Sequence, residues 1–249
     1  MQARVGDLDV HYDLDGPEGA PVVAFVHGLA ASLEIWAGQA TRLSDRFRVL
    51  RYDLRAHGNT TSLDVPCSRH DLAADLVGLL DAAGIQRAAV VGHSAGGVIA
   101  QQTAVDFPSR VSALGFIGTA SECNDKTAAW YTRCIDLARR EGGAAVMQSM
   151  GMKPERGPVP DGPGMAPVIE AMRTLNADPL TTALRAVAVP TLIIVGDKDF
   201  LGVGGSVILS RTIAGSELEI VAGRGHGIYL EDPDWFAACL GNFLARVLL

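Results

Sequence analysis

The chain has 249 residues, of which 48% are hydrophobic and 20% charged, and a formal net charge of −7. That much apolar material can build a substantial core, which excludes a disordered chain, and an acidic balance without any basic tract excludes a general nucleic-acid binder. No segment reaches the roughly eighteen unbroken apolar residues of a membrane span, and the N-terminal MQARVGDLDVHYDLDG lacks the pattern of an export or transit leader.

Residues 3–12 alternate loosely and read as one or two edge strands, closed by the turn residues Asp15-Gly16-Pro17. A continuous apolar run of strand length follows at 21–28, and similar runs recur at 47–53, 88–94, 111–118, 190–196 and 217–223. Runs rich in Val and Ile without alternation suit strands buried on both faces of a parallel sheet. Helical patterns lie between them. Ser68-Arg69-His70-Asp71 has the form of a capping box, Leu72, Leu76, Leu79 and Leu80 mark one face, and Gly84 suits the position just past a helix. Asp232-Pro233 has the form of an N-cap and first helical residue, ahead of the apolar stripe Phe236, Leu240, Phe243, Leu244 and Val247. The alternation predicts an α/β fold with a mostly parallel central sheet and helices on both faces.

Residues 121–185 break the alternation. They hold helical patches and no strand, and the Pro- and Gly-dense stretch 151–167 is expected to be irregular. They read as a small, largely helical cap inserted into one domain spanning 1–249. The four cysteines, Cys67, Cys123, Cys134 and Cys239, show no metal-ligand spacing and are expected to be free thiols in a cytoplasmic protein.

The chemistry is carried by Gly92-His93-Ser94-Ala95-Gly96, a G-x-S-x-G pattern. Its setting is more specific than the pattern itself. It stands between a buried strand and a helix, where a sharp turn presents the Ser94 hydroxyl at the carboxyl edge of the sheet. The small flanking residues let the backbone double back, and the helix starting at Ala95 points its positive end at a developing oxyanion. A serine hydroxyl needs a base. At such a turn the partners follow in the order acid, then histidine. His226 is the one histidine after Ser94, in the Gly-rich loop AGRGHG past the last predicted strand. The acid is expected after the preceding strand, in GDKD, where spacing leaves Asp197 and Asp199 both open; Glu122 or Asp125 would serve if the acid followed the strand before that. The segment Phe25–Ala30 ends the first central strand, so the backbone N–H groups of Leu29 and Ala95 are the candidate oxyanion donors. His27 is read as a structural residue packing that loop.

Together these motifs resemble the α/β-hydrolase superfamily, especially its enol-lactone hydrolases, small serine esterases, C–C bond hydrolases and cofactor-free haloperoxidases. HGLAASLEIW (27–36), RYDLRAHGNT (51–60), VGHSAGG (91–97), GDKD (196–199) and GHGIYLEDPDWF (225–236) carry the resemblance, in the family's order and over the chain outside 121–185. The resemblance implies a catalytic triad of Ser94, Asp199 and His226, with Asp199 preferred over Asp197 because the family's acid ends the motif. It implies Leu29 as an oxyanion residue and a structural role for Asp53, Arg55 and His57. Ala56 stands where the family has Gly, Thr60 where it has Ser, and no Pro follows GDKDFLGVGG. A serine nucleophile argues against the epoxide-hydrolase and haloalkane-dehalogenase branches.

Five of the six methionines, Met147, Met150, Met152, Met165 and Met172, fall in 121–185. Flexible thioethers make an adaptable apolar wall, so Trp130, Met147 and Met150 are candidate substrate-binding residues, with Tyr131 beside them, for a small or medium, largely apolar acyl group; packing of the segment's own core explains the methionines equally well. Arg133, Arg139 and Arg140 are read as solvated helix charges rather than a carboxylate clamp. The expected activity is hydrolysis of a small-molecule carboxylic ester or lactone through an acyl-enzyme, with no metal or organic cofactor, no nucleic acid and no membrane partner. Cleavage of a C–C bond in a β-diketone or ring-cleavage product, or a ligand-binding scaffold with little turnover, are the other readings.

Overall fold

The computed structural model describes residues 1–152 and 158–249. The strands are β1 (Gln2–Val5), β2 (Leu8–Asp15), β3 (Val22–Val26), β4 (Arg48–Tyr52), β5 (Ala88–His93), β6 (Val111–Ile117), β7 (Thr191–Gly196) and β8 (Glu217–Val221). They form one eight-stranded sheet in the order β1-β2-β4-β3-β5-β6-β7-β8. The β1–β2 and β2–β4 pairings are antiparallel; every pairing from β4 across to β8 is parallel. All the expected strands are present. β5 and β7 are buried along their whole length, as continuous apolar runs in a sheet covered on both faces should be.

The helices are α1 (Ala37–Leu43), α2 (Arg69–Ala82), α3 (Ala95–Asp106), α4 (Asp125–Glu141), α5 (Gly143–Ser149), α6 (Gly162–Arg173), α7 (Gly204–Thr212), α8 (Ile228–Glu231) and α9 (Pro233–Leu248). One core lies on the α2–α3 face of the sheet, around Leu76, Leu80, Val90, Ile99 and Phe116, and continues into the α4–α6 helices. The other lies on the α1–α9 face around Phe25, Trp36, Phe47, Phe236 and Leu240. Helices on both faces are the consequence of parallel pairing, because each parallel strand needs a crossover.

Local signals are used largely as written. Ser68 Oγ accepts from the Asp71 N–H (3.2 Å), and the Asp71 carboxylate accepts from the Ser68 N–H (2.7 Å), closing the capping box of α2. Asp232 is the N-cap residue of α9 and Pro233 its first residue, as expected, while the Asp232 carboxylate pairs with Arg224 (2.6 Å). The stretch 151–167 is less irregular than its composition suggests. From Gly162 it is α6, capped by Asp161, whose carboxylate accepts from the Gly164 N–H (2.9 Å). Pro163 fits the first turn, and complete burial of Met165, Val168, Ile169 and Met172 outweighs Pro167 inside the helix. The part of that stretch from 153 to 157 lies outside the described residues. Among the described residues no helix is long and apolar enough to cross a membrane, and none of the four cysteines forms a disulfide.

The loop after β4 is organised by Asp53. Its buried carboxylate accepts from the N–H groups of Leu33 (2.7 Å) and Asn59 (2.9 Å) and meets His11 Nδ1 (2.9 Å). Thr60, in place of the family's Ser, donates its hydroxyl to the Asp53 carbonyl (2.8 Å). Ala56, in place of Gly, takes the left-handed φ of 60° that explains the usual glycine. Truncating Asp53 strands two backbone donors in the interior. Asp53→Ala is therefore expected to cost about 3 kcal/mol of unfolding free energy, read by urea denaturation; a loss below about 1 kcal/mol would contradict this role.

Candidate active site

The strand order reverses between β3, whose chain turns one way to β4, and β5 on its other side. In open α/β sheets such a switch point is where the carboxyl ends of the strands leave a crevice. Ser94 stands there, between β5 and α3, with φ 54° and ψ −118°. That backbone conformation is uncommon for a side-chain-bearing residue and costs on the order of 1–3 kcal/mol. It persists because the turn is fixed from every side. The Ser94 N–H donates to the Ile117 carbonyl at the end of β6 (2.9 Å), and the Thr119 hydroxyl donates to the Ser94 carbonyl (2.8 Å). A Cβ on Gly92 would overlap the Gly96 carbonyl, and one on Gly96 would overlap the Val26 carbonyl of β3. The glycines of the motif are therefore required by close approach.

Asp199 and His226 meet across 27 residues of sequence. Asp199 Oδ2 lies 2.8 Å from His226 Nδ1, and the Asp199 side chain is almost wholly buried. The second oxygen, Oδ1, accepts from the Leu201 N–H (2.8 Å), so both carboxylate oxygens are engaged. Asp197 points away: it is exposed and accepts from the Gly223 N–H (2.7 Å), tying the β7 loop to the loop after β8. Glu122 and Asp125 take other partners, the Thr181 hydroxyl (2.6 Å) and the Asn176 amide (3.1 Å). Of the acids that spacing left open, Asp199 is the one against the imidazole. Ser94 and His226 line the same cavity, of about 380 Å³, without a hydrogen bond between their side chains among the described residues. Catalytic hydrogen bonds are often long before substrate binds.

Leu29 lies beside this serine, with Gly28 close enough that a Cβ would come within 3.2 Å of Ser94 Cβ. Among the described residues the Leu29 and Ala95 N–H groups donate to no protein acceptor, and Ala95 opens α3. The loop that carries Leu29 is held by two buried histidines. His27 accepts from the Leu54 N–H at Nε2 (3.0 Å) and donates from Nδ1 to the Gly28 carbonyl (2.7 Å). His57 accepts from the Ala30 N–H (3.1 Å) and donates to the Arg55 carbonyl (2.9 Å). Each ring uses one nitrogen as donor and the other as acceptor, which only the neutral form can do. Burial holds the His27 pKa below its ordinary value and brings that of His57 down to about 3.

Three residues of the site carried no separate signal in the sequence. His93, next to Ser94, donates from Nε2 to the His226 carbonyl (3.0 Å), and the Tyr229 hydroxyl approaches its other nitrogen (3.5 Å). Burial holds its pKa well below the ordinary histidine value. Its ring lies 4.5 Å from the His226 ring, and Phe200 lies 4.6 Å from it, so the imidazole has an aromatic neighbour at each of these contacts. Gly118 (φ 52°) leaves room under the acid–base pair, since a Cβ there would come within 2.8 Å of Asp199 Oδ2. Of the expected substrate-binding residues, Trp130 and Met150 line the 380 Å³ cavity, joined by Met152. Met147 does not. It is buried among the α4–α6 helices, so it belongs to their core. Arg133, Arg139 and Arg140 are exposed and line neither cavity that touches Ser94. Among the described residues no cluster of three or more His, Cys, Asp or Glu is placed to hold a metal ion.

The family model of the alpha/beta hydrolase fold matches residues 21–148, from β3 through the nucleophile turn into α5. The chain belongs to that family. It is 29% identical to a Klebsiella pneumoniae protein named as a carbamate hydrolase, RutD, over 92% of this chain and 93% of the relative. It is 27% identical to 3-oxoadipate enol-lactonase 2 of Acinetobacter baylyi, over 92% and 91% of the two chains. The crystal structure of the enol-lactonase from Burkholderia xenovorans LB400 superimposes with a TM-score of 0.87 at 28% identity, covering 98% of this chain and 100% of that one.

The buried neutral histidines make stability pH-dependent in a defined direction. A group with a lowered folded-state pKa binds fewer protons folded than unfolded, so stability falls as pH drops below the unfolded value near 6.5, and for His57 it goes on falling to about 3. Between pH 6.5 and 5 the His57→Gln variant is expected to lose stability less steeply than wild type. The difference approaches one proton, about 1.4 kcal/mol per pH unit, in urea midpoints taken across that range; parallel slopes would show that His57 is not held neutral.

Proposed function

We propose that the protein cleaves a carboxylic ester, lactone or related acyl–oxygen bond through an acyl-enzyme on Ser94. The observation that carries this reading is the convergence of three features at one sheet edge. They are a strained Ser94, an imidazole oriented by a buried carboxylate at 2.8 Å, and backbone N–H groups of Leu29 and Ala95 without protein acceptors. In this reading His226 Nε2 takes the Ser94 proton as Oγ attacks the carbonyl carbon. Asp199 holds the ring through Nδ1–H and stabilises the imidazolium. The oxyanion rests on the two N–H groups, whose fixed position spares any reorganisation as charge develops. His226 then protonates the departing oxygen, and a water activated by the same ring releases the acid. Every step is supplied by side chains and backbone of this chain.

The names of the relatives fit one common denominator. A carbamate and an enol-lactone both present a carbonyl carbon bonded to a heteroatom leaving group. At 27–29% identity the shared reaction centre is better supported than either substrate.

The reading is tested with p-nitrophenyl acetate to octanoate. Wild type is expected to turn over, and Ser94→Ala to lose on the order of 10⁴-fold or more in kcat. A Ser94→Ala protein as active as wild type would overturn the proposal. The choice of acid is tested separately. Asp199→Asn is expected to lose on the order of 10³- to 10⁴-fold in kcat, and Asp197→Asn to stay within a few-fold of wild type. The reverse order would reassign the acid.

A further inference from the structure

Ser94 stands at the junction of two cavities. The first, about 380 Å³, contains His226 and Leu29 and has the apolar walls Trp130, Met150, Met152 and Phe200. The second, about 300 Å³, also borders the serine and has a mixed wall, the polar Glu122, Asn124 and Thr127 beside the apolar Val98, Leu175 and Ile208, with no part of His226 in it. Tyr131 and Leu201 line both and form the partition between them.

Resting on the reading above, we propose that the second cavity is the acyl site, that it takes a short, polar, uncharged acyl group, and that the apolar cavity takes the leaving group. The tetrahedral carbon on Ser94 Oγ carries three other substituents, and the site fixes two of them. The oxyanion lies at the Leu29 and Ala95 N–H groups. The leaving oxygen must lie on the side of His226, because its bond to carbon breaks as the imidazolium hands it the proton taken from Ser94. His226 faces only the apolar cavity, so the leaving group departs there. The acyl substituent is left with the other direction. In the second half-reaction water bonds to the carbonyl carbon, its proton passes to His226 and on to Ser94 Oγ, and the Ser94–carbon bond breaks. In that step the water occupies the leaving group's place beside His226, and the acyl group is the only part of the substrate still bound.

The lining sets the chemistry of that group. Glu122 stands in the wall, its carboxylate anchored by the Thr181 hydroxyl at 2.6 Å, and Asp125 follows in the first turn of α4. The N-terminal ends of α3, α4 and α7 open beside the cavity, and each brings about half a positive charge. Two full negative charges exceed that, and among the described residues no Lys or Arg lines either cavity. An acyl group ending in a carboxylate therefore meets repulsion. One ending in an amide or hydroxyl finds hydrogen-bonding partners. The methionine wall, expected from sequence to hold the acyl group, serves the leaving group instead.

The test compares p-nitrophenyl esters of succinamic and succinic acid, an amide and a carboxylate of nearly equal shape. Wild type is expected to favour the succinamate in kcat/KM by about five-fold or more, a modest ratio because Glu122 is exposed and screened. Glu122→Lys, a surface substitution that leaves folding intact, is expected to reverse the preference. Equal rates on both esters, or a preference indifferent to Glu122→Lys, would overturn the charge assignment. Which cavity holds the acyl group is read from deacylation after the p-nitrophenol burst. Ile208→Phe, which fills the second cavity, is expected to slow deacylation of butyryl-enzyme at least ten-fold more than acetyl-enzyme. Met150→Phe, which narrows the path of the water and not the acyl site, is expected to change deacylation of butyryl- and acetyl-enzyme by the same factor. The opposite pattern would place the acyl group in the apolar cavity. Ester turnover that survives Ser94→Ala would fail the acyl-enzyme reading itself, a result distinct from any of these.

Discussion

The site depends on one backbone turn, the doubling-back of the chain at Ser94. A residue with φ 54° is a local cost, and nothing within the turn offsets it. The compensation comes from the sheet. β3 and β6 flank β5 on either side, and each touches the turn: the Val26 carbonyl packs against Gly96, and the Ile117 carbonyl accepts the Ser94 N–H. A conformation fixed by two neighbouring strands and a buried helix is over-determined, so it persists despite its strain. Because the turn is rigid, His93 is rigid, and through its Nε2 so is the carbonyl of His226. The placing of His226 relative to Ser94 thus depends on a contact to the turn itself and not only on the loop that carries His226.

The second constraint is electrical. Three imidazoles crowd the switch point, His27, His57 and His93, and each serves as a neutral bridge between a donor and an acceptor. Charging His27 or His57 would convert an acceptor nitrogen into a donor facing a backbone N–H, inside a core where an unpaired ion costs several kcal/mol. A net hydrogen bond is worth only about 1 kcal/mol, so burial decides their protonation. His226 has other surroundings: its Nδ1 faces a carboxylate and its ring borders a cavity. The same residue type therefore stands in two different environments within a few ångströms, three rings enclosed and one open to a cavity.

Much of this was legible in the sequence because it is written in short-range patterns. Continuous apolar runs marked all the parallel strands, the Ser68–Asp71 pair marked the start of α2, and small residues around Ser94 marked the turn. What was not legible depends on partners distant in the chain. Asp232 stands at the N-cap of α9 as its sequence indicates, but the pairing of its carboxylate with Arg224 carried no signal. Met147 looked like a pocket residue, yet its position on α5 turns it into the helical core while Met150, three residues on, reaches the cavity. The Pro and Gly of 162–167 looked like a loop, but packing of α6 against α4 overrides the local preference. Spacing could not choose between Asp197 and Asp199. The choice is made by the turn in which the Gly202 N–H donates to the Asp199 carbonyl (2.9 Å) and Gly202 takes φ 75°, which aims one carboxylate inward and leaves the other at the surface.

Chemistry and specificity are built from different parts of the chain. Ser94, Asp199, His226 and Leu29 sit at the ends of parallel strands, whose spacing is dictated by hydrogen bonding and barely varies with side-chain identity. The cavity walls come largely from α4, the segment after α5, and the β7–α7 connection, which pack by apolar contact and can be resized by single substitutions. Divergence to 27–29% identity can therefore change the walls while leaving the strand ends in place. Relatives named for a carbamate and for an enol-lactone are what that division leads one to expect. Under the proposed reading, the residues that decide the substrate are those around Tyr131 and Leu201, which line both cavities, rather than the strand-end residues around Ser94.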